Sequence, residues 1–267
     1  MSNELPEMIV GAGTVLTIDQ VKKAVAAGAK FIVSPGFNPT IVKYCRDNNI
    51  LIVPGINSPS QLEVGMEMGL DTFKFFPAEE SGGVKFLKAI SAPYGNVKFM
   101  PTGGINPGNL LSYLSLKNII ACGGSWMVKP ELISAGNFSE ITQITKEAVQ
   151  LMLGFEFAHL GINEENADSA SKSGSTFADL FNFKVNDGSS SVFVGPNAKE
   201  IEIMKKPYLG KKGHLAISTN SIKRTLFYLG QKGIKELPDT RKEKDGVLKA
   251  VYLDKEISGF AVHVVQK

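Results

Sequence analysis

The chain has 267 residues, and a hydrophobic content of 43% supplies a packed core and excludes disorder for most of its length. A net charge of +3 is too small and too scattered for a nucleic-acid surface, and two cysteines, Cys45 and Cys122, cannot build a disulfide framework or a zinc cluster. No apolar run approaches the length of a membrane span, and the start, MSNELPEM, lacks a basic and apolar leader, so the expectation is a cytoplasmic protein without membrane or nucleic-acid partners.

Short apolar runs recur along the first part, each closing on Gly or Pro: IVGAGTV, AKFIVSPGF, LIVPGI, TFKFFPA, VKFMPTGGI and IIACGGSWM. Helix-period segments lie between them, among them TIDQVKKAVAAG, NPTIVKYCRDNN, SPSQLEVGMEMG and VKFLKAIS. Several open on an N-capping Thr, Asn or Ser and close on Gly or Asn. Strands apolar on both faces, alternating with helices, predict a parallel sheet buried by helices. Six βα units are countable, where a closed (β/α)₈ barrel needs eight, so the α/β fold is either an open sheet or a barrel with two units missing.

The stretch FSEITQITKEAVQLML predicts a helix, and the texture changes after it. Residues 1–154 carry 12 basic and 12 acidic side chains; residues 155–267 carry 17 and 14. A boundary at Leu153–Gly154 divides the chain into domains 1–153 and 154–267. In the second, FEFAHLGIN reads as a strand, ENADSASKSGSTFADLF as a helix, and KVNDG, SSVFVG and EIEIMKK as strands. HLAISTN, the helix SIKRTLFYLGQKG, and strands KELPDTR, VLKAVYLD and GFAVHVVQK repeat the order. The expectation is an α+β domain of two βαβββ modules.

Chemistry in parallel α/β folds sits at the C-terminal ends of the strands. Lys74 interrupts the apolar run TFKFF, where desolvation lowers an ammonium's pKa and favours the neutral amine that attacks ketones. The plain alternative is a lysine that snorkels to water or pairs with Glu79. TGG (102–104) and GGS (123–125) follow consecutive strands. They either present backbone N–H groups to a phosphate or simply make tight turns.

GAGTVL, FIVSPGF, PGI, GLDTFKFFPAE, FMPTGGI and GGSWMV, in this order, resemble the 2-dehydro-3-deoxy-6-phosphogluconate / 4-hydroxy-2-oxoglutarate aldolase family over about residues 6–153. The resemblance implies a cofactor-free class I aldolase on a TIM barrel, commonly a homotrimer, that releases pyruvate and glyceraldehyde 3-phosphate or glyoxylate. It puts the Schiff-base lysine at Lys74 and substrate contacts at Thr14, Pro35, Phe76 and Thr102. The phosphate site falls on Gly103, Gly104, Gly124 and Ser125. The family's first two βα units have no counterpart, nor do the acid/base glutamate and carboxylate-binding arginine of the second; nothing places Glu4 or Glu7 in their stead. Against the family the chain reads as an N-terminally truncated TIM barrel, and three readings of this departure stand: a longer natural protein, a real fragment or decayed paralogue, or a barrel completed by another chain. The alternatives in function are a catalytically impaired 2-oxo-acid binding module and metal-dependent chemistry in the C-terminal domain.

All three histidines, His159, His214 and His263, lie in apolar strands of the second domain. One strand histidine is usually a hydrogen-bonded structural residue, but three at corresponding places suggest transition-metal ligands. FEFAHLGIN, KEIEIMKK, KGHLAIST and SGFAVHVV resemble the glyoxalase / vicinal oxygen chelate superfamily over about residues 155–266. That resemblance puts a divalent-metal set at His159, Glu202, His214 and His263, the last in place of a usual glutamate. A metal-free structural or oligomerising domain is the competing reading.

Overall fold

The computed structural model describes residues 3–267, which form two compact units divided between Ala148 and Val149. In the first unit, strands β1 (Gly11–Ala12), β2 (Phe31–Val33) and β3 (Ile52–Val53) pair in parallel, as do β4 (Gly55–Ile56), β5 (Thr72–Phe75) and β6 (Lys98–Pro101). Only Pro54, which has no N–H, separates β3 from β4; its carbonyl still accepts the Lys74 N–H at 2.9 Å, so one ladder runs across the break. The sixth apolar run, IIACGG, is not a full strand. It meets β6 and the residue after it through two isolated parallel bridges, Phe99–Ile119 and Thr102–Gly123, interrupted between them.

Helices α1 (Ile18–Ala26), α2 (Pro39–Asp47), α3 (Pro59–Glu67), α4 (Gly83–Ser91) and α5 (Leu110–Leu114) follow β1, β2, β4, β5 and β6, and α6 (Pro130–Ser134) and α7 (Phe138–Leu153) come after the IIACGG run. Local chemistry sets their starts. Thr17 and Gln20 form a reciprocal capping box on α1, and Asn38 caps α2 with Pro39 at its first position. Their apolar faces meet the strands: Val21, Ile41, Val42 and Cys45 pack with Ile32 and Ile52. None of the described helices is long and apolar enough to cross a membrane.

The second unit holds two successive βαβββ modules. The first comprises β7 (Glu156–Asn163), α8 (Ala167–Phe181), β8 (Lys184–Asp187), β9 (Ser191–Gly195) and β10 (Ile201–Met204). The second comprises β11 (His214–Thr219), α9 (Ile222–Gly230), β12 (Lys242–Lys244), β13 (Val247–Ile257) and β14 (Phe260–Gln266). They join through antiparallel β7 and β11 into one eight-stranded sheet, ordered β12-β13-β14-β11-β7-β10-β9-β8. The strand expected at KELPDTR is absent. Glu236 makes one bridge to Leu253, a 3₁₀ turn occupies Pro238–Thr240, and the edge strand comes after it, because Pro238 fixes its φ and cannot donate to a ladder.

Strand alternation gives this sheet two unlike faces. Val192, Val194 and Ile203 pack with Ala170 and Phe177 of α8, while Val251, Val262 and Val264 pack with Ile222 and Leu226 of α9. The register puts His159, Gly161, Glu202, His214 and His263 together on the opposite face.

Candidate functional sites

In the first unit the parallel strands bring the candidate residues to one rim. Thr14 and Pro35 each lie two residues beyond a strand end, Thr102 follows β6 directly, and Lys74 lies within β5. Lys74 pairs in register with Gly55 and Met100. It is half-buried, and burial lowers its pKa from the ordinary lysine value. Its Nζ stands 4.2 Å from the centre of the Phe76 ring, which lends a cation-π contact to the protonated form and an apolar wall to the neutral one. The suggested pairing with Glu79 does not occur: that carboxylate accepts a short hydrogen bond from the buried Tyr113 hydroxyl.

Thr14 has φ +57°, a conformation that a β-branched side chain rarely adopts and that carries about 1–3 kcal/mol of strain. A strained threonine at a strand end is the kind of outlier that functional sites retain. Nearby backbone approaches are equally tight. A Cβ on Gly55 would stand 2.0 Å from the Pro35 carbonyl oxygen, and one on Gly123 would stand 2.7 Å from Thr102 Oγ1. Gly103 and Gly104 both have positive φ. Among the described residues, the N–H groups of Gly103, Gly104, Gly124 and Ser125 make no hydrogen bond. Four free N–H groups on adjacent loops suit an anion and need no cationic side chain.

The second unit gathers all four of its candidates. Glu202 Oε2 lies 3.1 Å from His159 Nε2 and 3.2 Å from His214 Nε2, and the two nitrogens are themselves 3.2 Å apart. The ligand atoms of His159, His214 and His263 lie within 4.8 Å of one another. His214 and His263 are buried, at 1% and 5% exposure, and His214 Nδ1 and both ring nitrogens of His263 have no hydrogen-bond partner. Burial and the neighbouring histidines push the His263 pKa down to about 3, so its imidazole is neutral with a free lone pair. Burial opposes ionisation of Glu202, but hydrogen bonds from His159, His214 and Ser191 outweigh it and hold the carboxyl well below its ordinary range.

Three lone-pair donors this close repel unless protons or a cation lie between them. Two ligands about 2.0–2.1 Å from a common ion stand about 3 Å apart, which matches this triangle. The residues therefore fit a divalent transition metal, with three imidazoles and one carboxylate as its ligand set.

Several residues here escaped the sequence reading. Ser191 Oγ donates to Glu202 Oε1 at 2.7 Å and orients that carboxylate. Gly161 gives the His214 ring its space: a Cβ there would meet ring atoms at 2.0–2.3 Å. Gly161→Ala is accordingly expected to displace His214 and to lower stability by about 1–3 kcal/mol, readable as a fall in Tm. The Phe193 and His159 rings meet edge to face with centroids 5.5 Å apart, and Tyr252 stacks on His263 at 4.6 Å.

Comparison with known proteins addresses the first unit. The family model "KDPG and KHG aldolase" matches residues 1–144. The 2-dehydro-3-deoxy-phosphogluconate aldolase of Haemophilus influenzae is 49% identical over 147 residues, 55% of this chain and 69% of the relative. The KHG/KDPG aldolase of Escherichia coli K12 is 47% identical over 150 residues, 56% of this chain and 70% of the relative. A crystal structure of KDPG aldolase from Legionella pneumophila, with pyruvate captured as a covalent carbinolamine, is 46% identical with a TM-score of 0.52, covering 53% of this chain and 69% of that one. By this match over more than half of its length, the chain belongs to the KDPG and KHG aldolase family.

Proposed function

We propose that the chain is a class I aldolase that cleaves 2-dehydro-3-deoxy-6-phosphogluconate to pyruvate and glyceraldehyde 3-phosphate, or 4-hydroxy-2-oxoglutarate to pyruvate and glyoxylate. The observation that carries this is Lys74, a half-buried lysine of lowered pKa inside a parallel strand. Its neutral amine adds to the C2 ketone to give a carbinolamine, which takes up a proton from solvent and loses water to give a protonated imine. The imine accepts the electron pair of the C3–C4 bond as the C4 hydroxyl gives up its proton to water, and the aldehyde leaves. Protonation of the resulting enamine at C3, then hydrolysis, frees pyruvate and regenerates the amine. No metal enters these steps. Thr14, Pro35, Phe76 and Thr102 line the rim beside the lysine. The free N–H groups of Gly103, Gly104, Gly124 and Ser125 suit the substrate's phosphate, or the distal carboxylate of the shorter substrate.

Incubation with pyruvate and sodium borohydride tests this reading. The expected product carries pyruvate, less water and plus two hydrogens, on Lys74 by peptide mapping. A folded protein that forms no adduct would sink it.

For residues 154–267 the convergence of four groups favours a second reading. His159, Glu202, His214 and His263 would hold a divalent metal, in an arrangement like that of the vicinal oxygen chelate superfamily. Such an ion would act as a Lewis acid toward an oxygen-bearing ligand. The chain's part is to supply three imidazoles, His263 among them in neutral form, keep Glu202 ionised and shelter the site with Phe193 and Tyr252. Metal analysis of the purified protein beside a His159→Ala variant checks it.

A further inference from the structure

His263 is held differently from its neighbours. His159 and His214 are tied through Nε2 to Glu202, with His214 Nδ1 left without a partner, whereas neither ring nitrogen of His263 has one. Metal-binding imidazoles are normally oriented by a hydrogen bond at the nitrogen that does not bind metal. His214 Nδ1 lacks such a bond as well, so packing must orient both rings, and for His263 it must do so without any hydrogen bond at all. Tyr252 pairs with His263 across β13 and β14, and its ring lies on the imidazole at 4.6 Å between centroids and 28° between planes. The other ring contacts of His263 are edge-on, to His214 at 4.8 Å and His159 at 5.3 Å.

Tyr252 is itself fixed. Its N–H donates to Thr240 Oγ1 at 2.9 Å, and its carbonyl accepts the Leu237 N–H at 2.8 Å, which anchors it to the Pro238–Thr240 turn. The Tyr208 ring closes on it edge-on at 5.5 Å. Tyr252 is 4% exposed, so few other orientations are open to the ring.

We propose that Tyr252 is a positioning residue for the metal centre: its stacked ring fixes the His263 imidazole in the orientation that lets it serve as the fourth ligand. This rests on the metal reading of His159, Glu202, His214 and His263. A planar ring stacked on an imidazole restricts rotation about the histidine's last torsion, which is otherwise broad. The hydroxyl has no part in this role, so the aromatic face alone must suffice.

The test uses the full chain loaded with Co²⁺. Affinity is read by visible absorption, and paramagnetically shifted imidazole N–H resonances count the bound histidines. Wild type is expected to show three shifted resonances, and His263→Ala two. Tyr252→Phe keeps three, with affinity close to wild type. Tyr252→Leu drops to two and binds Co²⁺ about 10–100-fold more weakly. Circular dichroism of each variant separates lost positioning from lost folding, and the Phe variant keeps the proposal testable if the Leu variant unfolds. Three resonances and wild-type affinity in Tyr252→Leu would overturn the proposal, as would loss of a resonance in Tyr252→Phe. Three resonances in His263→Ala would remove His263 from the ligand set, overturning the proposal while leaving a metal site. A wild type that takes up no Co²⁺ would overturn the metal reading, and the proposal with it.

Discussion

Lys74→Met is expected to lower kcat/KM for aldol cleavage by about 10⁴-fold or more and to abolish the borohydride-trapped pyruvate adduct. Methionine keeps much of the length and apolar character of the side chain, so the strand and its packing on Phe76 should survive. What disappears is the amine, and with it the covalent electron sink. Lys74→Arg should do no better, because a guanidinium stays protonated and cannot add to a ketone. Trapping in the wild type should rise with pH and level off below the ordinary lysine range near 10.4, since burial lowers this pKa.

The same substitution should stabilise the fold. A lysine with a depressed folded-state pKa binds its proton less readily when folded, so the folded state is penalised while the amine is charged. That penalty is full below the folded pKa and vanishes above the unfolded one. Lys74→Met should therefore raise Tm near neutral pH, with a gain that shrinks as pH rises through the lowered pKa. Loss of activity with gained stability is the signature of a group kept for chemistry. Activity that survives the change, or an adduct on another lysine, would move the chemistry elsewhere.

The βα rhythm was legible because its signals are local. Apolar runs ending in Gly or Pro and capping residues such as Thr17 and Asn38 act within a few positions. Lys74 could be singled out because a charge in TFKFF violates its own surroundings. Long-range register could not be read in this way. Tyr252 alternates with Val251 and Leu253 as an ordinary core position would, and nothing local pairs it with His263. Nor does the sequence disclose that Ser191 faces Glu202, that Gly161 makes room for His214, or that Thr14 adopts a positive φ. Where the reading erred, at IIACGG and KELPDTR, the apolar or alternating pattern was present. Ladder geometry and Pro238 decided otherwise.

The second large effect is expected from metal removal. Each βαβββ module contributes two candidate ligands: His159 and Glu202 come from the first, His214 and His263 from the second. An ion among them would bind the two modules together across the seam of β7 and β11. An ion that binds only the folded state stabilises it by mass action, by about 2.7 kcal/mol at a free concentration 100-fold above Kd. For a unit of this size that corresponds to roughly 10 °C in Tm. Chelation should lower the melting transition of the second unit by that amount, and Zn²⁺ or Co²⁺ should restore it. Glu202→Ala should abolish the difference, since it removes the only carboxylate and leaves facing imidazoles. If protons hold the cluster instead, neither chelator nor metal should move the transition, and one proton shared by His159 and His214 would suffice for the 3.2 Å approach of their nitrogens.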